Sequence, residues 1–252
     1  MAEPVPSFEG QFARVVMGMR QTKINYTLRE SHRAKRVILK VGINGLAVII
    51  PRRFGKRRLP EIIEANREWI EKELQRVSEA PPLVAPECIN LSAINESWHV
   101  KYQSHPTSDG RVSVKEHASN RLLLEGDAED IRGVSSVLTQ WLHLKAHDHL
   151  VPWLKEVSQL IDISFKKTTV RGQTSRWASC SKLGNISINR SLLFLPKHLV
   201  RHVFLHELCH IKELNHSPEF WRILRQLEPD CKDLEIEVRK ANRYVPRWVS
   251  LG

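Results

Sequence analysis

Hydrophobic and polar positions alternate through the first part of the chain and later shift to a helical period. Ile24, Tyr26 and Leu28 alternate with polar residues. The apolar runs Val37–Val41 and Leu46–Ile50 flank Asn44-Gly45, a pair suited to a tight hairpin turn. Pro60 opens a helix through about Val77, with Ile63, Ile70, Leu74 and Val77 on one stripe and Trp69 beside it. Ala80-Pro81-Pro82 ends it. Short strands are predicted around Trp98–Tyr102, Val112–Val114 and Leu122–Leu124, with the turn-rich segment His105–Gly110 between two of them. From Leu138 to Val157 the spacing is helical, although Pro152 should kink or break the element. Two further extended pieces flank Lys182–Asn185. Pro196 then precedes a helix starting near Lys197, whose apolar residues Leu199, Val200, Val203, Phe204, Leu205 and Leu208 nearly encircle it. Such a helix should be buried.

This order of elements predicts an α+β fold. Residues 1–21, with Pro4, Pro6 and Gly10, read as a loose leader. Residues 22–135 read as a strand-rich part and 136–246 as a helix-rich part, joined between Asp127 and Ser136. At 252 residues the chain can bury one large core or two smaller ones.

Composition narrows the class. No apolar run approaches the roughly 18 residues that a membrane-spanning helix needs. The N-terminus has an acid and two prolines where a signal sequence would be basic and then apolar. Cys88, Cys180, Cys209 and Cys231 form no Cys-x-x-Cys pair, which predicts reduced thiols in a cytoplasmic protein. The charge is uneven. Between Arg14 and Arg58 stand thirteen Lys/Arg and a single acid, Glu30, which accounts for the whole formal net charge of +11. Clustering of this kind fits a nucleic-acid or acidic-partner surface, and equally a solvated strand face with a basic loop.

The chemistry concentrates on the predicted buried helix. His206-Glu207-Leu208-Cys209-His210 places two histidines at i and i+4, on one helical face, so both imidazoles can meet one ion. Glu207, beside the first of them, can act as a base toward an activated water. Polar residues on an encircled apolar helix are costly without a partner, and a bound metal removes that conflict. A third ligand could come from His216. A continued helix would turn it about 240° away from His210, but Asn215 can end the helix and Ser217-Pro218 can start a new one. His216 then sits in a corner, free to fold back. His143 and His147 are also spaced i, i+4, but they have no glutamate between them and no third ligand with comparable turn chemistry, so a half-solvated helix face accounts for them. Cys209 points off the histidine face and reads as a small packing residue.

Several separated motifs then converge on one resemblance. Arg171-Gly172-Gln173-Thr174-Ser175-Arg176-Trp177-Ala178-Ser179-Cys180-Ser181, Gly184-x-Ile186-x-Ile188-Asn189, Leu192, and His206 to Trp221 resemble the YgjP-like metallopeptidase family. The likeness extends upstream through Tyr26–Ser31 and Trp69-Ile70 and covers roughly residues 24–243. It implies a zincin-like fold related to SprT-like proteases, in which a strand-rich part packs with a helical part built on the His-Glu-x-x-His helix. It also implies one domain over about 22–246, zinc on His206, His210 and His216, and Glu207 as general base. Two positions depart from the family pattern: Ala178 stands where glycine is usual, and His202 where tyrosine is usual.

The expected function is zinc-dependent hydrolysis of peptide bonds, with a protein or peptide as substrate. Arg176 and the backbone around Trp177 are candidate oxyanion donors by resemblance. Trp177 serves either core packing or a substrate-binding edge. The competing expectations are a metal-stabilised nucleic-acid-binding module, a protease acting on DNA-bound proteins through the segment Arg14–Arg58, and hydrolysis of a non-peptide amide.

Overall fold

A computed structural model describes residues 24–42, 45–79, 83–104, 111–173 and 175–251. The expected leader, Asn44 of the hairpin turn, and the segment His105–Gly110 lie outside these residues. The chain divides into two compact units, residues 1–82 and 83–252. The segment Asp127–Ser136, expected as a join, lies inside the second unit.

In the first unit β1 (Tyr26–Ser31), β2 (Ile38–Gly42) and β3 (Gly45–Pro51) form a sheet in the order β1-β3-β2. β3 runs parallel to β1 and antiparallel to β2. Alternation sends Leu46, Val48 and Ile50 to one face, where Leu59, Ile63 and Ile70 complete a small core. Those three come from α1 (Leu59–Ala65) and α2 (Arg67–Ser78). The sequence predicts one helix here, and the structure has two. Asn66 adopts φ −114°, ψ 13°, and its side-chain amide donates to the Ile62 carbonyl at 2.8 Å. A short amide side chain that competes for backbone acceptors favours such an interruption.

The second unit begins with β4 (Cys88–Leu91), β5 (Glu96–Gln103), β6 (Ser113–His117) and β7 (Arg121–Glu125), in the order β4-β5-β7-β6. Trp98, Val100, Leu122 and Leu124 point from this sheet into a large core. α3 (Ile131–Leu160) enters the same core through Leu138, Leu142, Leu150 and Leu154. Asp130 caps α3 by accepting from the Gly133 N–H at 2.9 Å. Of the expected kink or local break at Pro152, the break does not occur: α3 runs through it as one helix. Leu150 and Leu154 are fully buried on either side of it, and their packing outweighs the loss of one backbone hydrogen bond.

β8 (Lys167–Arg171), β9 (Ala178–Cys180) and β10 (Asn185–Asn189) form the third sheet, with β10 central and β9 at an edge. Ala178 pairs with Ile188 as an ordinary strand residue, so alanine is accommodated there without distortion. Against this sheet lies α4 (Lys197–Lys212), followed by α5 (Pro218–Leu227) and α6 (Cys231–Arg239). Among the described residues the fold is α+β, with three small sheets and six α-helices. No helix among them is long and apolar enough to cross a membrane.

Candidate metal centre

α4 is buried along most of its length, as its apolar encirclement predicts, and it carries His206, Glu207 and His210. Its end differs from expectation. The helix stops at Lys212, where Glu213 turns extended at φ −138°, ψ 109°. Asn215 has no positive φ and instead donates its N–H to Glu213 Oε1 at 3.2 Å. A carboxylate hydrogen bond therefore makes the turn that the sequence assigned to a left-handed asparagine. Ser217 then caps α5 by accepting from the Phe220 N–H at 3.3 Å, with Pro218 at the first helical position.

This corner brings His216 back onto α4. His216 Nε2 lies 3.0 Å from His206 Nε2. The ligand atoms of His206, His210 and His216 all lie within 4.8 Å of one another. Two of the rings are also oriented from behind. His210 Nδ1 is 3.0 Å from the Glu213 carbonyl, so Nδ1 carries the proton and Nε2 is left for the cluster. His206 Nδ1 lies 2.7 Å from Glu235 Oε1, an ion-pair contact whose angle falls outside hydrogen-bond geometry. Phe220, fully buried, stacks on His210 with ring centroids 4.6 Å apart and touches His206 and His216 edge-on. Burial lowers the proton affinity of His210 and of His216, which favours the neutral form that can bind a metal.

Glu207 is 7% exposed. The Cys180 backbone on β9 hydrogen-bonds its carboxylate, while Oε2 has no hydrogen-bond partner. Burial pushes the Glu207 carboxyl up to about 7, against the pull of His206 and Arg176. A second layer lies behind these histidines. His202, at 1% exposure, meets Glu228 Oε2 at 2.5 Å and Glu235 Oε1 at 3.4 Å, and Arg201 meets Glu228 Oε1 at 3.0 Å. Burial alone would lower the His202 pKa, but the two carboxylates outweigh it and raise it to about 9. The close approach of His202 and His206 holds Glu235 well below the usual carboxylate range.

Sequence spacing could not find Glu228, at the end of α5, or Glu235 on α6, because both reach α4 only through tertiary packing. His202 was visible only as an unusual neighbour of the site. His143 and His147 sit apart on α3, where His147 is exposed beside Asp148. They join no three-ligand cluster among the described residues. Cys209 is fully buried packing. Trp177 is half-buried, and its indole N–H donates to the Val238 carbonyl at 3.2 Å.

Two i, i+4 imidazoles with an adjacent carboxylate form the donor set of metal-dependent hydrolases. The profile described as YgjP-like, metallopeptidase domain matches residues 35–241, and the chain belongs to that family. The family implies a divalent metal and a peptide substrate. No curated protein matches the chain. Among solved structures, the chain is similar to the metallopeptidase zymogen of Pyrococcus abyssi abylysin, with 24% identity and a TM-score of 0.32, over 34% of this chain and 89% of that one. It is also similar to the zymogen of Methanocaldococcus jannaschii jannalysin, with 23% identity and a TM-score of 0.31, over 34% and 90% respectively.

Proposed function

We propose that the protein is a zinc-dependent metallopeptidase in which His206, His210 and His216 hold the ion and Glu207 is the general base. The observation that carries this reading is the approach of His206 Nε2 and His216 Nε2 to 3.0 Å, with the His210 ring beside both. Two ring nitrogens gain little from facing each other so closely with no ion between them. Nitrogens bound to one zinc at 2.0–2.1 Å in a tetrahedral arrangement stand about 3.3–3.4 Å apart, so the donor set fits the ion. Three imidazoles complete a catalytic zinc site and leave one position open.

When bound, zinc supplies Lewis acidity toward the scissile carbonyl and favours a nucleophilic water near neutral pH. Glu207 accepts a proton from the attacking water through Oε2, while the Cys180 backbone holds the carboxylate in place. It then returns the proton to the leaving amine. β9 is an edge strand, so an extended substrate can add beside it and lie across Glu207. Arg176 sits at the start of that edge, where its charge can meet a developing oxyanion. The test is a comparison of newly generated peptide termini in a proteome exposed to wild type or to Glu207→Gln. New termini that appear only with wild type support the mechanism, and an identical set from a zinc-loaded Glu207→Gln protein sinks it.

A second reading has its own observation. β1 and β3 are parallel and β2 is antiparallel, with Ser31 opposite Pro51 and Ile38 opposite Ile49. The basic loops 32–37 and 52–58 therefore leave the same end of the sheet. Together they carry eight Lys/Arg and no acid, and Lys56 pairs with Glu30 at 3.0 Å. Such a surface suits a phosphate backbone and would make the enzyme a protease of nucleic-acid-bound proteins; without turnover, the chain would instead be a metal-stabilised binding module.

A further inference from the structure

We propose that an arginine-lined cavity next to β9 is a subsite for a carboxylate of the peptide substrate. The inference rests on the metallopeptidase reading and adds a substrate class to it. The cavity has a volume of about 570 Å³ and lies between Gly172, Gln173 and Ser175 to Trp177 on one side and the later segment 238–250 on the other. Arg176, Arg190, Arg239 and Arg247 line it, and none of the described lining residues is an aspartate or glutamate. Four arginines around one cavity give it a positive potential that favours an anion. Arginine stays charged under all ordinary conditions and matches a carboxylate with paired N–H donors.

The cavity is built. Arg190 is half-buried, and its guanidinium lies so close to Gly172 that any Cβ there would run into it. A side chain at 172 would therefore displace the guanidinium from its present position. Asn189, 4% exposed, pins the facing loop by donating to the Gln173 carbonyl at 2.6 Å and the Arg176 carbonyl at 3.0 Å. Trp177, tied to the Val238 carbonyl, forms an apolar wall with Val245 and Val249. A cavity with one apolar side and several cations takes an amphipathic anion. In a peptide this is an aspartate or glutamate side chain, or a C-terminal carboxylate.

Its position relates it to the reacting centre. Trp177 immediately precedes β9, and Cys180 at the other end of β9 hydrogen-bonds Glu207. At about 3.3 Å per residue, the three-residue step from Trp177 to Cys180 spans about 10 Å. A substrate strand docked along β9 with its scissile bond at Glu207 therefore offers the cavity a residue about three positions away.

The experiment uses the full chain carrying Glu207→Gln and a set of fluorescent dodecapeptides. In these, one glutamate is walked along an otherwise alanine-serine sequence, each with a glutamine twin, and one pair compares a free with an amidated C-terminus. Anisotropy should show about tenfold tighter binding of glutamate over glutamine at one position, or of the free over the amidated terminus. That ratio should fall to near one in Arg190→Gln and, separately, in the exposed-residue variant Arg239→Gln. An equal gain at every position reports diffuse attraction to a basic protein and overturns the proposal, as does a ratio unchanged by both substitutions. Cleavage of the same peptides by the wild-type chain is read in parallel. If no peptide is cut, the peptidase reading fails, while the binding ratio still decides whether the cavity selects a carboxylate.

Discussion

Glu235 Oε1 lies 2.7 Å from His206 Nδ1, while Nε2 of the same ring faces His216. One imidazole is thus gripped on one nitrogen by a carboxylate and offered to the cluster on the other. A carboxylate behind a ligating histidine fixes ring orientation and raises ligand basicity. Glu235→Gln should therefore weaken zinc affinity by roughly 10- to 100-fold, the range for loss of such outer partners. Competition against a chromogenic chelator measures this directly, and an unchanged affinity would leave Glu235 a purely structural residue.

His216→Ala should cost most of the bound zinc, because it removes one of three neutral donors from an otherwise sparse site. Elemental analysis of the purified variant is the measurement. The pattern has a specific alternative, since His202, His206 and Glu235 also bring ligand atoms within 4.8 Å of one another. Zinc retained at the wild-type level in His216→Ala would place the ion on that side of His206.

Phe220 joins stability to the site. It is fully buried and contacts all three histidine rings. Phe220→Ala should lower unfolding stability by about 3–5 kcal/mol, the usual cost of emptying a buried phenylalanine site. It should also loosen the imidazole cluster. Denaturant unfolding of the metal-free protein reads the first effect and chelator competition the second. Normal zinc affinity with the full stability loss would show that the rings are held in place by their hydrogen bonds alone.

The basic end of the first-unit sheet makes a prediction about salt. If loops 32–37 and 52–58 contact a phosphate backbone, duplex DNA binding by the full chain should weaken steeply between 50 and 200 mM salt. Reversing Arg52 and Arg53 to glutamate should flatten the slope of log affinity against log salt by about two, roughly one per lost phosphate contact. A slope identical to wild type would mean that these loops are only solvated.

Much of the centre was legible in local sequence because its first parts are local. His206 and His210 share a helical face by the 3.6-residue period, and Glu207 is their neighbour in the chain. Ser217-Pro218 starts a helix wherever it occurs in such a context, so a corner at residue 216 could be foreseen. The device that makes the corner could not, since Glu213 uses a side-chain hydrogen bond to its own loop in place of backbone handedness. Similar contests decided other elements. Asn66 split a helix whose apolar stripe runs through it, and burial of Leu150 and Leu154 carried α3 across Pro152.

By itself the sequence determined the strand and helix periods, the candidate donor residues and the clustering of positive charge, because each of these depends on residues within a few positions of one another. Only the tertiary structure decided that Glu235 stands behind His206, that Glu228 and Glu235 share His202, and that Arg190 and Arg239 line one cavity. These partners are separated by tens of residues. Their meeting is set by how α6 and the C-terminal segment pack against α4 and β9, and buried apolar area drives that packing without leaving a spacing in the sequence.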